Sequence, residues 1–109
     1  PAYKQAVVDA PDTGTFLFAK RIAPVRAIKN AFVERVREAE QRGVPQTELA
    51  EIYGRSHSRR GILEGDLLEG ELEAGQSCGL VHEILPAADV VRRLVEDYER
   101  ALARVGPLG

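Results

Sequence analysis

The stretch GDLLEGELEAGQSCGLVHEIL, residues 65–85, decides how this chain is read. Gly65, Gly70 and Gly75 recur every fifth residue, and Gly79 follows four later. That spacing matches neither the 3.6-residue turn of a helix nor the two-residue repeat of a strand. It predicts a long glycine-punctuated loop, which in a small domain commonly covers a site or packs on another surface. Neither GxGxxG nor GxxxxGK is present, so the pattern is not a phosphate loop. Glycine also permits close approach of one backbone to another surface. The small residues Ala74, Gly75, Cys78 and Gly79 fit close approach better than a plain surface loop.

Regular structure is expected on both sides of this loop. AYKQAVVDA (2–10) reads as a short helix with Tyr3, Ala6, Val7 and Ala10 on one side. PDTG (11–14) is turn chemistry, and TFLFA (15–19) is a short β-prone run, the one strand the sequence predicts. From Pro24 to Arg42 the steps Val25, Ile28, Phe32, Val36 and Ala39 predict one helix, stopped by Gly43 and Pro45. A short helix over 46–53 carries Leu49, Ile52 and Tyr53, and GRSHSRRG (54–61) follows as a basic, polar turn. The last helix is expected from about Pro86 to Arg104. Its inward residues would be Ala87, Val91, Leu94, Tyr98, Ala101, Leu102 and Val105, and Gly106 and Pro107 end it.

Composition narrows the function classes. A chain of 109 residues holds at most one compact domain, and 44% hydrophobic residues is ordinary for a globular protein. A net charge of −2 supplies no general attraction to nucleic acid or anionic membrane, and no apolar run approaches bilayer length. The basic turn also lacks the aromatic neighbours of a single-strand nucleic-acid binder. The N-terminus shows no signal-peptide pattern, and the lone Cys78 fits a reducing cytoplasm. Cys78 has no base at a recognisable spacing, so a small buried hydrophobe is the better reading. His57 and His82 with one cysteine make no metal-ligand cluster. Arg55, His57, Arg59 and Arg60 could pair with a phosphate or carboxylate ligand, or be solvated and bridged to Glu64, Asp66 and Glu69.

RIAPVRAIKNAFVERV (21–36) and SRRGILEGDLLEGELEAGQSCGLVHEILPAADVV (58–91) together resemble a known family. The resemblance is to the C-terminal third of the nitronate monooxygenase, or 2-nitropropane dioxygenase-like, flavoproteins. It is carried by the Arg26/Asn30 spacing, Gly65-Asp66, the AGQ at 74–76 and Gly79-Leu80. The related FMN-dependent enoyl-acyl-carrier-protein reductases share this layout. The resemblance implies an α/β parent, a (β/α)8 barrel holding FMN. A complete barrel takes roughly 250 residues. This chain would then be a mainly helical C-terminal portion with one short strand: a lid plus a terminal helix packed on the barrel.

The resemblance also implies a partner, the barrel portion of the enzyme, whose upstream segments would hold the FMN. No residue here matches the family's flavin-phosphate glycines or its catalytic histidine. Gly75, Gln76 and Ser77 would line the substrate side, with Tyr53 contributing from the preceding helix. An amide such as Gln76 can donate to and accept from an oxygen of a nitronate or carbonyl substrate; alternatively it ties down the loop backbone. The expected activity is oxidation of alkyl nitronates with O2, because 58–67 and 77–86 read closer to that branch. The alternative is an NAD(P)H-dependent enoyl-acyl-carrier-protein or quinone reductase. A separate class stays open: a non-enzymatic helical domain that forms a homo-oligomer through the stripes of 24–42 and 86–104.

Overall fold

A computed structural model of the chain describes residues 2–107. Its elements are α1 (Ala2–Asp9), β1 (Thr15–Phe18), β2 (Val25–Ile28), α2 (Ala31–Gln41), α3 (Gln46–Tyr53), α4 (His57–Ile62), a 3-10 turn (Gln76–Leu80) and α5 (Ala87–Val105).

The architecture is mainly helical around a two-stranded sheet, and two expectations are corrected by it. The single helix predicted over 24–42 is a strand followed by a helix. The single predicted strand has its partner immediately downstream. β1 and β2 pair antiparallel with Thr15 opposite Ile28 and Phe18 opposite Val25. Val25 and Ile28 suit a helical stripe and a strand equally well by spacing alone. β-Branching and a preceding proline, which is tolerated at the first residue of a strand, favour the strand. The helix begins only after Asn30, whose extended backbone (φ −157°) lets its side chain accept from the Val33 N–H at 3.0 Å. Gly43, with φ +69°, closes α2 as expected.

The glycine-rich stretch is not an unpaired loop. Residues 72–74 run along the free edge of β2: Ile28 N–H donates to Leu72 O at 2.9 Å, and Ala74 N–H donates to Arg26 O at 3.2 Å. Ala27 and Glu73 form an antiparallel bridge. β2 is therefore the middle strand of a small three-part sheet. Two of the four glycines, Gly70 and Gly79, serve close approach, but within this chain. A Cβ on Gly70 would overlap the Asp66 carbonyl and the Gly61 backbone, and one on Gly79 would overlap Asp12.

One face of the sheet lies on α2. Phe18, Ala19, Ala27, Phe32, Val33, Val36, Ala39 and Leu49 are fully buried together, with Val44, Ile52 and Tyr53 packed around them. Phe18 and Phe32 meet edge to face at 6.0 Å, the arrangement aromatic quadrupoles prefer. Glu40 fastens the β1–β2 connection to α2 by accepting from the Ala19 N–H at 3.0 Å.

α5 stands apart from this core. It contains no buried residue, although Val91, Leu94, Val95, Tyr98, Leu102 and Val105 form one apolar stripe along it. The radius of gyration is 17.5 Å, against about 13 Å for a compact chain of this length. The inward residues expected on this helix thus lie exposed, apart from the half-buried Ala101, because no other described element folds back over them.

Candidate functional site

The candidate residues come from two places. Tyr53 ends α3 at the rim of the core, 5.7 Å from the Phe32 ring and 6.3 Å from Phe18. Its hydroxyl donates to Glu71 Oε2 at 2.6 Å. Glu71 is 2% exposed, and its backbone N–H donates to His57 O at 2.8 Å. Burial pushes the Glu71 carboxyl above its ordinary range, and the neighbouring Glu73 adds to this, while the Tyr53 hydrogen bond opposes it. Burial, and next the hydrogen bond to Glu71, raise the Tyr53 phenol, so it stays protonated and donating near neutral pH. Sequence reasoning passed over Glu71. Its signal was available, since an acid between Gly70 and Leu72 in a strand-edge segment must find a partner if buried.

His57 lies beside this pair. Its ring stacks on Phe32 at 4.1 Å with 14° between the planes. Nδ1 sits 2.7 Å from Glu69 O; a carbonyl only accepts, so Nδ1 carries the proton. Ser58 donates to Glu73 Oε1 at 2.8 Å, and Tyr3 donates to Glu73 O. The histidine is thus a packing and anchoring group at the start of α4.

The basic turn is bridged to nearby acids at two of its arginines. Arg59 meets Glu64 at 3.2 Å and Arg60 meets Asp66 at 2.6 Å. Asp66 also accepts from the Glu69 and Leu68 N–H groups, which with Arg60 hold its carboxyl below the usual range. Glu69 is lowered likewise by Arg35, which contacts it through both terminal guanidinium nitrogens at 3.2 and 2.6 Å. Asn30 completes this framework by donating to Leu67 O at 3.0 Å and Gly70 O at 2.7 Å. Asn30 entered the sequence reading only as a family marker; in the structure one amide caps α2 and pins the 67–70 turn.

Gly75, Gln76 and Ser77 lie elsewhere, at the start of the 3-10 turn that packs against α1. All three are exposed. Among the described residues no hydrogen bond joins them to Tyr53, and none holds the Gln76 or Ser77 side chain. Gly75 has an ordinary φ of −74°, and the nearest atom to a Cβ there would be Ser77 Oγ at 3.7 Å. Nothing inside this chain requires glycine at that position. Cys78, one turn on, is buried and free, as a small apolar residue would be.

One surface depression borders Tyr53, and a second lies beside α1. One, of about 550 Å³, is lined by Ile22, Ala50, Glu51, Tyr53, Gly54 and Arg55 and opens broadly to solvent. The other, of about 180 Å³, is an apolar groove between α1 and residues 81–85. Ligand pockets typically span about 300–1,000 Å³ and enclose most of the ligand. Neither depression meets both conditions. Among the described residues no group of His, Cys, Asp and Glu is placed to hold a metal ion. No described helix is long and apolar enough to cross a membrane.

Comparison with solved structures then decides the fold. FabK from Thermotoga maritima superposes with a TM-score of 0.81 over 96% of this chain, at 24% sequence identity. The chain has the fold of part of FabK. A point mutant of the same FabK matches with a TM-score of 0.73, again at 24% identity and 96% coverage. The chain spans about a third of the FabK chain, 33% in the first comparison and 29% in the second. No family model matches the sequence, and no curated protein matches it. The hairpin, α2, the pinned 65–79 segment and α5 thus share the fold of one section of FabK.

Proposed function

We propose that this chain is the cap and C-terminal portion of an FMN-dependent oxidoreductase, whose barrel body is not contained in these residues. FabK is an FMN-dependent enoyl-acyl-carrier-protein reductase with a barrel fold. The corresponding assignment here is reduction of an enoyl thioester or a related activated carbonyl compound. The nitronate alternative has support from the residues of 58–67 and 77–86 and no geometric feature in its favour.

The observation that carries this proposal is Gly75-Gln76-Ser77. All three are exposed, the Gln76 and Ser77 side chains make no hydrogen bond among the described residues, and Gly75 has an ordinary φ with room for a Cβ. Such a turn suits a surface that closes on something else. In the assembled protein, Gln76 would donate to and Ser77 would share a proton with a substrate oxygen. Tyr53 would act at one remove, since its hydroxyl is committed to Glu71.

FMN itself does not fit these residues. The groove beside α1 is too small, the depression beside Tyr53 is open, and no phosphate loop occurs in the sequence. When bound, the flavin supplies the electron transfer, and its site belongs to the body.

The test is a chimera that carries this chain in place of the matching third of FabK. Flavin retention and turnover of an enoyl thioester and of an alkyl nitronate are then measured. Enoyl thioester reduction, weakened at least tenfold by Gly75→Val with no change in flavin retention, is expected. A folded chimera that retains FMN but is indifferent to Gly75→Val and Gln76→Ala would overturn the assignment of 75–77. Tight binding of FMN to the 109-residue chain alone would overturn the cap assignment.

A further inference from the structure

We propose that Tyr53 and Glu71 are positioning residues: their hydrogen bond fixes the 71–74 segment against α3 and so sets where Gly75-Gln76-Ser77 stands. Backbone pairing alone holds this segment weakly. Two bonds join it to β2, Ile28 N–H to Leu72 O at 2.9 Å and Ala74 N–H to Arg26 O at 3.2 Å. A sheet edge held by so few bonds slips in register unless its side chains specify one. Here they do. Glu71 and Glu73, two residues apart, lie on the same side of the extended segment, and each meets a hydroxyl. Tyr53 of α3 donates to Glu71 at 2.6 Å, and Ser58 of α4 donates to Glu73 at 2.8 Å. Leu72 between them is buried against α4, where a Cβ on Gly61 would come within 2.6 Å of it.

The buried acid is the telling choice. An apolar side chain at position 71 would fill the same volume without the cost of drying a carboxyl. What Glu71 adds is direction: a bond to one hydroxyl fixes a position that apolar contact leaves free to slide. The downstream end of the turn is fixed separately. Cys78 is buried, its N–H donates to Gly75 O at 3.1 Å, and Gly79 lies against Asp12. Residues 75–77 are therefore held at both ends and bare in the middle. Each residue of slip at 71–74 would carry the turn about 3.3 Å, and a misplacement of about 1 Å can cost a hundredfold in rate. A displacement of that size removes the contact proposed for Gln76, which is what the tether prevents.

What 75–77 does toward a substrate rests on the proposed function; the tether does not, and the test separates the two. Amide hydrogen exchange in the 109-residue chain, without flavin or substrate, reads the tether. Tyr53→Phe keeps the ring packed on Phe18 and Phe32 and removes only the hydroxyl. It is expected to speed exchange at Ala74 and Cys78 at least tenfold, while Val36 in α2 exchanges as in the parent. Glu71→Leu fills the volume without an acceptor and is expected to match it. Glu71→Gln keeps an acceptor for Tyr53 and is expected to retain the parent rates. In the FabK chimera, Tyr53→Phe and Glu71→Leu are expected to raise KM for the enoyl thioester about tenfold, with kcat and flavin retention little changed, and Glu71→Gln to keep the parent KM. Equal acceleration at every amide, or none at Ala74 and Cys78, overturns the positioning role. So does a chimera whose KM responds to Gly75→Val and not to Tyr53→Phe. The expected exchange rates beside a chimera indifferent to both variants would overturn the proposed function and leave the tether standing.

Discussion

Residues 31–41 and 87–105 carry the same kind of pattern and meet opposite ends. Both are amphipathic helices with an apolar residue every third or fourth position. In α2 the stripe of Phe32, Val33, Val36 and Ala39 is wholly buried under the sheet and α3. In α5 a longer stripe buries nothing. The difference lies in connectivity. α2 is entered directly from β2 and left through a short turn into α3, so its neighbours in sequence fold over it. α5 follows an extended segment and has no element after it among the described residues to close back. Hydrophobic patterning states that a face must be covered; it does not state by what.

The contrast can be broken at its strongest point first. Phe32→Ala empties the centre of the aromatic cluster and is expected to cost about 3–5 kcal/mol, which unfolds a domain of this size or leaves it marginal. Urea denaturation checks it; a loss below about 1 kcal/mol would mean that the core described here does not hold the fold. Asn30→Ala comes next. It removes the α2 cap and both bonds to the 67–70 turn, for an expected loss of roughly 2–3 kcal/mol. Hydrogen exchange should then speed up at Val33 and across 67–70 together, since one side chain holds both.

Glu71→Gln tests the buried acid. Because burial raises the Glu71 carboxyl, the folded state binds its proton more tightly than the unfolded state. Its effect on stability is most favourable below the ordinary carboxylate range and is lost as pH rises through the raised value. Asp66 and Glu69 run the other way: their lowered carboxyls stabilise the fold above the ordinary range, and that is lost on acidification. The variant leaves those two unchanged. It keeps an acceptor for Tyr53 and is expected to melt roughly 4 °C higher than the parent at pH 8, with little difference at pH 4. A constant difference across this range would remove the buried-carboxyl explanation.

Leu94→Ala should do least. Leu94 is 70% exposed, so at concentrations where the chain is monomeric its loss is expected to stay within about 0.5 kcal/mol. A core-sized loss there would show that α5 folds onto its own chain, and the contrast with α2 would collapse.

Much of the fold is legible in the sequence where one local cue decides. Gly43 and Pro45 end α2, Gly106 ends α5, and PDTG turns the chain into β1 as its residue types require. Helix 46–53 forms over the expected residues. β2 was hidden because Val25 and Ile28 continue a three- and four-residue spacing into Phe32, and a four-residue strand is too short to show its own period. The candidate site was legible only in part. Gly75, Gln76 and Ser77 stand out as small and polar, but neither their exposure nor the commitment of Tyr53 to Glu71 follows from spacing. The partners are 18 residues apart and meet only when α3 and the 71–74 segment pack on the same core.

The sequence alone determined which residues are apolar and where helices stop. Those are properties of single side chains and near neighbours. Tertiary structure decided that the glycine-rich stretch borders β2, that Gly70 serves Gly61 rather than an outside surface, and that α5 lies bare. Each of these depends on segments far apart in sequence meeting in space, and on the cost of leaving buried polar groups unpaired, which local pattern does not encode.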